Sequence, residues 1–211
     1  MTKKIIYLVA GMLVSVSVAI WCSTPPTKKP VIPPKSAATL YGAVTNESAF
    51  KTIQQIRSFQ DGTKTPIYLY IDSPGGAVYA GIKIIDAIQA SKRPVYTVDI
   101  GLAASMAAYI ESYGVKRYML PHAVLMYHNA SGGFEGDLVR DRSQLDLIDK
   151  ILLDVNTNVS KRSGISLDTL LLKENSEWWL TSDESLKNNL IDGVINPIDY
   201  PAEKKSDLES D

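Results

Sequence analysis

The chain has 211 residues, 45% hydrophobic and 21% charged, which fits one folded domain with short appendages and excludes a disordered polymer. Its net charge is −1, from 22 basic and 23 acidic residues, so it lacks the basic excess that marks nucleic-acid binding. The single cysteine, Cys22, excludes an internal disulfide, no Cys/His cluster suits a zinc ion, and imidazole chemistry has only His122 and His128 to draw on.

In chain order, Lys3 and Lys4 precede an apolar run over 5–22, interrupted only by small residues such as Gly11, Ser15 and Ser17. About 18 apolar residues reach the short end of what crosses a bilayer, and a basic start with an apolar middle also describes a signal peptide. Residues 1–22 are therefore expected to direct the chain into or across a membrane, with a buried core helix as the alternative. Ile20 and Trp21 before Cys22 argue against a lipoprotein signal. Residues 23–36 follow with five prolines and three lysines, an extended spacer in which proline fixes φ and withholds a backbone donor. The folded domain is expected over 37–199, with a charged frayed tail at 200–211.

Inside the domain the pattern alternates strand and helix. A short β-type run at 39–44 leads to a helix capped by Thr45 or Asn46, with an apolar face from Phe50, Ile53 and Ile56. The aliphatic and aromatic run 67–71 reads as a buried strand, and Gly75 and Gly76 lead into a helix at 77–90. A strand at 95–100, a helix at 103–113, a strand at 124–128 and a long helix at 137–161 complete the series. The long helix carries Leu145, Ile148, Leu152, Val155 and Val159 at alternating spacings of three and four, with Gly164 as its stop. This succession predicts an α/β domain built on a mainly parallel sheet, whose strand-to-helix junctions are where such folds place active sites.

Three segments at those junctions could carry chemistry. Asp-Ser-Pro-Gly-Gly at 72–76 can bring backbone amides close to negative charge, although taken alone a plain turn between strand and helix is the better explanation. Ser105 opens a helix between small residues, where unpaired amides would stabilise an oxyanion; a serine there is also an ordinary helix cap. His128 ends a strand on the same face as Val124 and Met126, and an imidazole suits proton transfer near pH 7, although single histidines are often structural. His122, after Pro121, reads as a turn residue.

Taken together, Asp-Ser-Pro-Gly-Gly at 72–76, Gly-Leu-Ala-Ala-Ser-Met-Ala-Ala at 101–108, Leu-Pro at 120–121, Met-Tyr-His at 126–128 and Gly-Gly-Phe-Glu-Gly-Asp at 132–137 resemble the proteolytic subunit of Clp-type proteases. The likeness runs from about Leu40 to Ile195. It implies the spiral of β-α units shared with crotonases, with a mainly parallel sheet and a protruding handle helix. It implies a serine endopeptidase with Ser105 as nucleophile, His128 as base and Glu177 as the acid, with Asp183 and Asp192 as weaker candidates. The amides of Gly76 and Met106 would form the oxyanion hole, and Gly132 and Gly133 would bind substrate as an added strand. It further implies a peptide or protein substrate, a homo-oligomeric ring and no metal or other cofactor. The chain departs from the family at Ala130 and Ser176, where a proline and an arginine are usual. It also carries a membrane-directed segment where the family has axial loops, which points away from an ATPase partner. A catalytically silent scaffold, a serine–lysine membrane peptidase and a crotonase-type acyl-CoA enzyme are the competing readings.

Overall fold

The computed structural model describes residues 36–129 and 138–196. The membrane-directed segment, all but the last residue of the spacer, the strand-binding pair Gly132 and Gly133, and the charged tail lie outside the described residues.

Strand β1 (Ala37–Tyr41) leads to helix α1 (Asn46–Ser58), whose N-cap is Thr45 in a reciprocal capping box with Ser48. Strand β2 (Ile67–Ser73) is followed by α2 (Val78–Ala90), then β3 (Val95–Ala104) and the short α3 (Met106–Ser112). Two short strands, β4 (Lys116–Met119) and β5 (Val124–Tyr127), precede the long α4 (Leu138–Ser163). Helix α5 (Leu167–Glu174), strand β6 (Trp178–Thr181), helix α6 (Ser182–Lys187) and strand β7 (Gly193–Val194) close the described chain.

The sheet runs β1-β2-β3-β4-β7, and every pairing along it is parallel. Parallel strands are covered on both faces, and β2 shows this directly. Ile67, Leu69 and Ile71 enter the main core, while Tyr68 and Tyr70 join a second cluster with Val98 and Ile195. On that second face Tyr96 packs edge-on to both Tyr68 and Tyr118, at centroid distances of 5.5 and 6.2 Å.

Strand β3 belongs to two ladders. Its first half pairs with β2 and β4, and Leu102–Ala104 then leave β4 and pair with Val124–Met126 of β5. The β2–β3 register shifts at the same place, between Ile71 and Ser73. There the buried Asp99 turns its carboxylate back to accept from the Gly101 amide at 3.1 Å. Strand β5 in turn takes β6 as an antiparallel partner on its outer side. This branching sheet is the spiral.

Helices α1 and α3 differ from the sequence reading, which also gives no element for β4, α5, β6, α6 or β7. Helix α1 buries Ala49, Thr52 and Ile56, whereas Phe50 is 63% exposed. Thr52 tolerates burial because its hydroxyl donates to the Thr39 carbonyl of β1 at 2.8 Å. The predicted helix at 103–113 starts three residues later, because Ala103 and Ala104 are strand residues. Alanine favours helix, but cross-strand bonds to β5 outweigh a propensity of only about 0.5 kcal/mol per residue. Strand β4 buries Arg117 and Met119 on one side and is pinned through Arg117. Arg117, 5% exposed, binds Asp192 through Nε at 3.1 Å, and its amide donates to the same carboxylate at 2.9 Å. Burial raises the Asp192 carboxyl, but the Arg117 hydrogen bonds and charge outweigh this and hold it below the usual range. Asp192, a weaker candidate for the acid, is thus a structural pin on Arg117 and not a partner of His128.

The far end of α4 packs Val155 and Val159 into the core, while Leu145 and Leu147 remain 42% and 49% exposed. Gly164 ends the helix at φ +80°, its amide donating to Ser160 O at 2.9 Å. A Cβ there meets nothing within 4 Å, so only backbone strain opposes a side chain. Gly164→Ala should lower stability by about 1 kcal/mol, read as a shift in the urea midpoint with unchanged slope. An unshifted midpoint would contradict the assigned cap geometry.

Candidate active site

Ser105 is the single residue between the end of β3 and the start of α3, and it takes φ 56°, ψ −126°. A non-glycine residue in that region is strained by roughly 1–3 kcal/mol and persists only where its surroundings overdetermine it. Here they do. Its amide donates to Met126 O of β5 at 2.8 Å, and its carbonyl accepts from the Ala108 and Tyr109 amides at 3.0 and 3.3 Å. The flanking Ala103, Ala104, Ala107 and Ala108 are buried, and larger side chains would not fit so tight a strand-to-helix turn. The hydroxyl makes no capping bond, so the helix-cap reading of this serine fails.

His128 follows β5 directly. Its Nε2 lies 2.7 Å from Ser105 Oγ across the seam between the two strands. With the proton on Nδ1, Nε2 accepts from the hydroxyl, which is the arrangement a general base requires.

Loop 74–77 closes the site from the other side. Gly75 sits at φ +88°, and a Cβ on it would fall 2.6 Å from Ala104 O and 2.7 Å from Ser105 Cβ. The turn before α1 clamps this loop: Val44 donates to Gly75 O and accepts from the Ala77 amide, each at 2.8 Å. The amides of Gly76 and Met106 donate to no acceptor among the described residues. For Met106 this follows from its place as the first residue of a helix. Both residues line a cavity of about 480 Å³ with Ser105, His128, Pro74 and Val78.

Glu177 stands apart. Tyr127 pairs with Trp178 in the antiparallel β5–β6 ladder, which brings the backbone of Glu177 alongside His128. Its exposed side chain, however, accepts from the indole Nε1 of Trp179 at 3.2 Å. Among the described residues no carboxylate hydrogen-bonds the His128 ring. Asp183 is exposed in the first turn of α6, and His122 is an exposed turn residue as read. Among the described residues no group of three or more His, Cys, Asp or Glu side chains could hold a metal ion.

Sequence reasoning missed the neighbourhood of Glu174. This carboxylate is 2% exposed and accepts from Tyr109 Oη at 2.9 Å and from Asn156 Nδ2 at 3.0 Å. Burial pushes it up to about 7, against the lowering effect of those two hydrogen bonds. Its backbone carbonyl accepts from the Asn129 amide at 3.3 Å, beside His128. One signal was available: an acidic residue in the last turn of α5 opposes the helix dipole, so something else must hold it. Deeper in the fold Asp99 is pushed up to about 8 and Glu111 well above the carboxylate range, burial being the main cause for both.

A branching α/β sheet with a serine hydroxyl against an imidazole is an arrangement that serine hydrolases use. The family model for Clp protease matches residues 33–197. ATP-dependent Clp protease proteolytic subunit 2 of Synechococcus sp. (strain CC9605) is 37% identical over 157 residues, covering 73% of this chain and 80% of that protein. Subunit 1 of Synechococcus sp. (strain CC9902) is 38% identical over the same shares. Subunit 1 of Prochlorococcus marinus subsp. pastoris is 35% identical over 156 residues, 72% of this chain and 80% of its own length. The chain belongs to the Clp protease family, a family of serine-type peptidases.

Glu174 makes a signed prediction. Its folded pKa of about 7 lies above its unfolded value, so the folded state holds the extra proton. Its contribution to stability is full below about pH 4.3 and is lost as pH rises toward 7. Glu174→Gln should therefore flatten the fall in melting temperature between about pH 4.5 and 7. A variant whose melting profile parallels wild type across that window would show that Glu174 titrates normally.

Proposed function

We propose that this protein hydrolyses peptide bonds with Ser105 as nucleophile and His128 as general base, and that the 2.7 Å contact between them is the observation carrying the reading. His128 Nε2 takes the hydroxyl proton as Oγ attacks the carbonyl carbon of the scissile amide. The carbonyl oxygen becomes an oxyanion, received by the amides of Gly76 and Met106. Each such donor commonly contributes about 10²–10³ in kcat. The imidazolium then protonates the leaving amine, the C–N bond breaks, and an ester to Ser105 remains. Water, activated by the same imidazole, hydrolyses that ester and restores the hydroxyl. No step consumes a nucleotide.

Glu177 is the proposed third member. Rotation of its side chain from Trp179 toward His128 Nδ1 would fix the tautomer and stabilise the imidazolium. Its present bond to Trp179 is the observation that favours the competing reading, a serine–histidine dyad or a silent scaffold. Substrate would enter as an extended strand along Gly132 and Gly133. Helix α4, with Leu145 and Leu147 exposed, supports assembly into a homo-oligomeric ring.

A fluorophosphonate probe tests the chemistry. Wild type should label on Ser105, and Ser105→Ala and His128→Ala should cut labelling and peptide turnover at least about 10⁴-fold, without ATP in the assay. Labelling that survives Ser105→Ala removes the nucleophile. Glu177→Gln should lower kcat about 10²–10⁴-fold while leaving the fold intact; full activity would leave His128 without this acid.

The reading also tethers or exports the catalytic domain. Lys3, Lys4 and the apolar run to Cys22 support it; among the described residues no helix is long and apolar enough to cross a membrane. Full-length protein should sediment with membranes or appear outside the cytoplasm, and deletion of residues 1–22 should leave it soluble and cytoplasmic. Uncleaved full-length protein in the soluble cytoplasmic fraction would overturn this part.

A further inference from the structure

Every residue of the short helix α3 is buried, and one of them is Glu111, whose carboxyl has no hydrogen-bond partner on either oxygen among the described residues. Strand β3 runs beneath it. The Thr97 hydroxyl donates to the Glu111 main-chain carbonyl at 2.8 Å, and Asp99, two residues on, lies on the same side of the strand. Asp99 is buried as completely as Glu111. Its Oδ1 accepts from the Gly101 amide at 3.1 Å, while Oδ2 has no partner among the described residues. Three carboxyl oxygens are thus closed off from water and from donors alike. A buried carboxylate without partners is too unfavourable to stay charged, and such a group takes up a proton instead. The surrounding charges do not remove the problem. Arg117 of β4 faces Glu111, but its Nε and Nη2 go to Asp192, before β7, at 3.1 and 3.3 Å. Arg162 of α4 gives its Nη1 to the carbonyls of Ser112 and Gly114, at 2.8 and 2.6 Å. Tyr127 of β5 also faces Glu111, and Asp72 of β2 brings a further negative charge toward Asp99. Arg117 and Arg162 therefore stand against the carboxyls of Asp99, Glu111 and Asp192, which leaves at least one carboxyl without a counter-charge.

We propose that Glu111 and Asp99 hold at least one proton between them and act as a pH switch beneath the nucleophile. With the proton bound, α3 is seated on β3; its loss in alkaline solution unseats α3 and draws the Met106 amide away from Ser105. The coupling follows from position. Glu111 shares a seven-residue helix with Met106, and with the whole helix buried a charge on Glu111 reaches water only if the helix shifts. Asp99 acts on the same place from below, because its tie to Gly101 comes just before Leu102–Ala104 leave β4 for β5. Burial is the main cause that holds Asp99 up at about 8; the Gly101 amide opposes it and Asp72 adds to it. Burial likewise holds Glu111 well above the carboxylate range, Asp99 adding to this and Thr97 and Arg117 opposing it by less. Both folded values lie above the unfolded ones, so the stabilisation is full below about pH 4 and is lost as pH rises through about 8.

The switch rests on the serine-peptidase reading only for its effect on catalysis, and the experiment reads the two apart. Full-length protein is followed by amide hydrogen exchange, corrected for intrinsic rates, and by fluorophosphonate labelling of Ser105. Both are measured at about pH 7.5, at about pH 9.5 and after return to the first value. In wild type, protection of the amides over 108–113 should fall at least about tenfold at the higher pH while that of β2 holds. The labelling rate should fall by a similar factor, and both should recover on return. Glu111→Gln keeps the shape of the neutral acid and cannot ionise, so it should abolish both falls. Asp99→Asn should reduce them at least about threefold, and it carries the test if Glu111→Gln does not fold. Equal α3 protection in wild type at the two pH values, or variant profiles that superimpose on wild type, overturn the switch. So does a joint loss of α3 and β2 protection, which is global unfolding, or a labelling rate that stays constant while α3 protection falls. If the fluorophosphonate labels nothing at any pH while α3 protection falls as expected, the proton-linked seating of α3 stands and the peptidase reading falls.

Discussion

The contact between Ser105 Oγ and His128 Nε2 joins residues 23 positions apart, and its existence depends on how one strand ends. Strand β3 does not stop where its pairing with β4 stops. It runs on through Leu102–Ala104 to form a second ladder with β5, and that ladder carries the serine to the histidine. The Ser105 amide binds Met126 O within the same ladder, so the bond that strains the serine backbone also fixes its distance from the imidazole. Strain of this kind is stable only because alanines pack close beneath it and Gly75 lies against it without a side chain. Ser105 is held by backbone hydrogen bonds together with that close packing.

The same logic extends outward. The Val44 clamp on Gly75 and Ala77 ties the β1–α1 turn to the loop bearing the Gly76 amide, and the N-terminus of α3 supplies the amide of Met106. On the opposite side, Tyr109 of α3, Asn156 of α4 and Glu174 of α5 form one buried hydrogen-bonded set. Three helices therefore meet at a carboxylate whose backbone carbonyl also holds the residue after His128.

Much of this was legible in the sequence, and the gaps have physical causes. The buried strand β2, the helix α2 after the glycine pair and the stop at Gly164 follow from local composition and backbone freedom. The positions of Ser105 and His128 at junctions could be read, but their 2.7 Å approach could not, because it comes from a branching of β3 that alanine propensities conceal. Phe50 was misplaced because helical spacing gives a stripe without saying which edge of it a neighbouring helix covers; Thr52 is buried instead through a hydrogen bond to β1. Glu174 stayed hidden since a lone acidic residue has no periodic signature. Glu177 shows the converse, a motif position whose backbone lies where the pattern expects while its carboxylate binds an indole. Membership of the Clp protease family accounts for the shared frame.

The most direct test of the central claim is a crystal structure of the phosphonylated enzyme, whose adduct mimics the tetrahedral intermediate. The account predicts phosphorus bonded to Ser105 Oγ, His128 Nε2 still beside that oxygen, and the phosphoryl oxygen about 3 Å from the amides of Gly76 and Met106. A phosphoryl oxygen facing solvent with both amides unengaged, or an adduct on another residue, would contradict it.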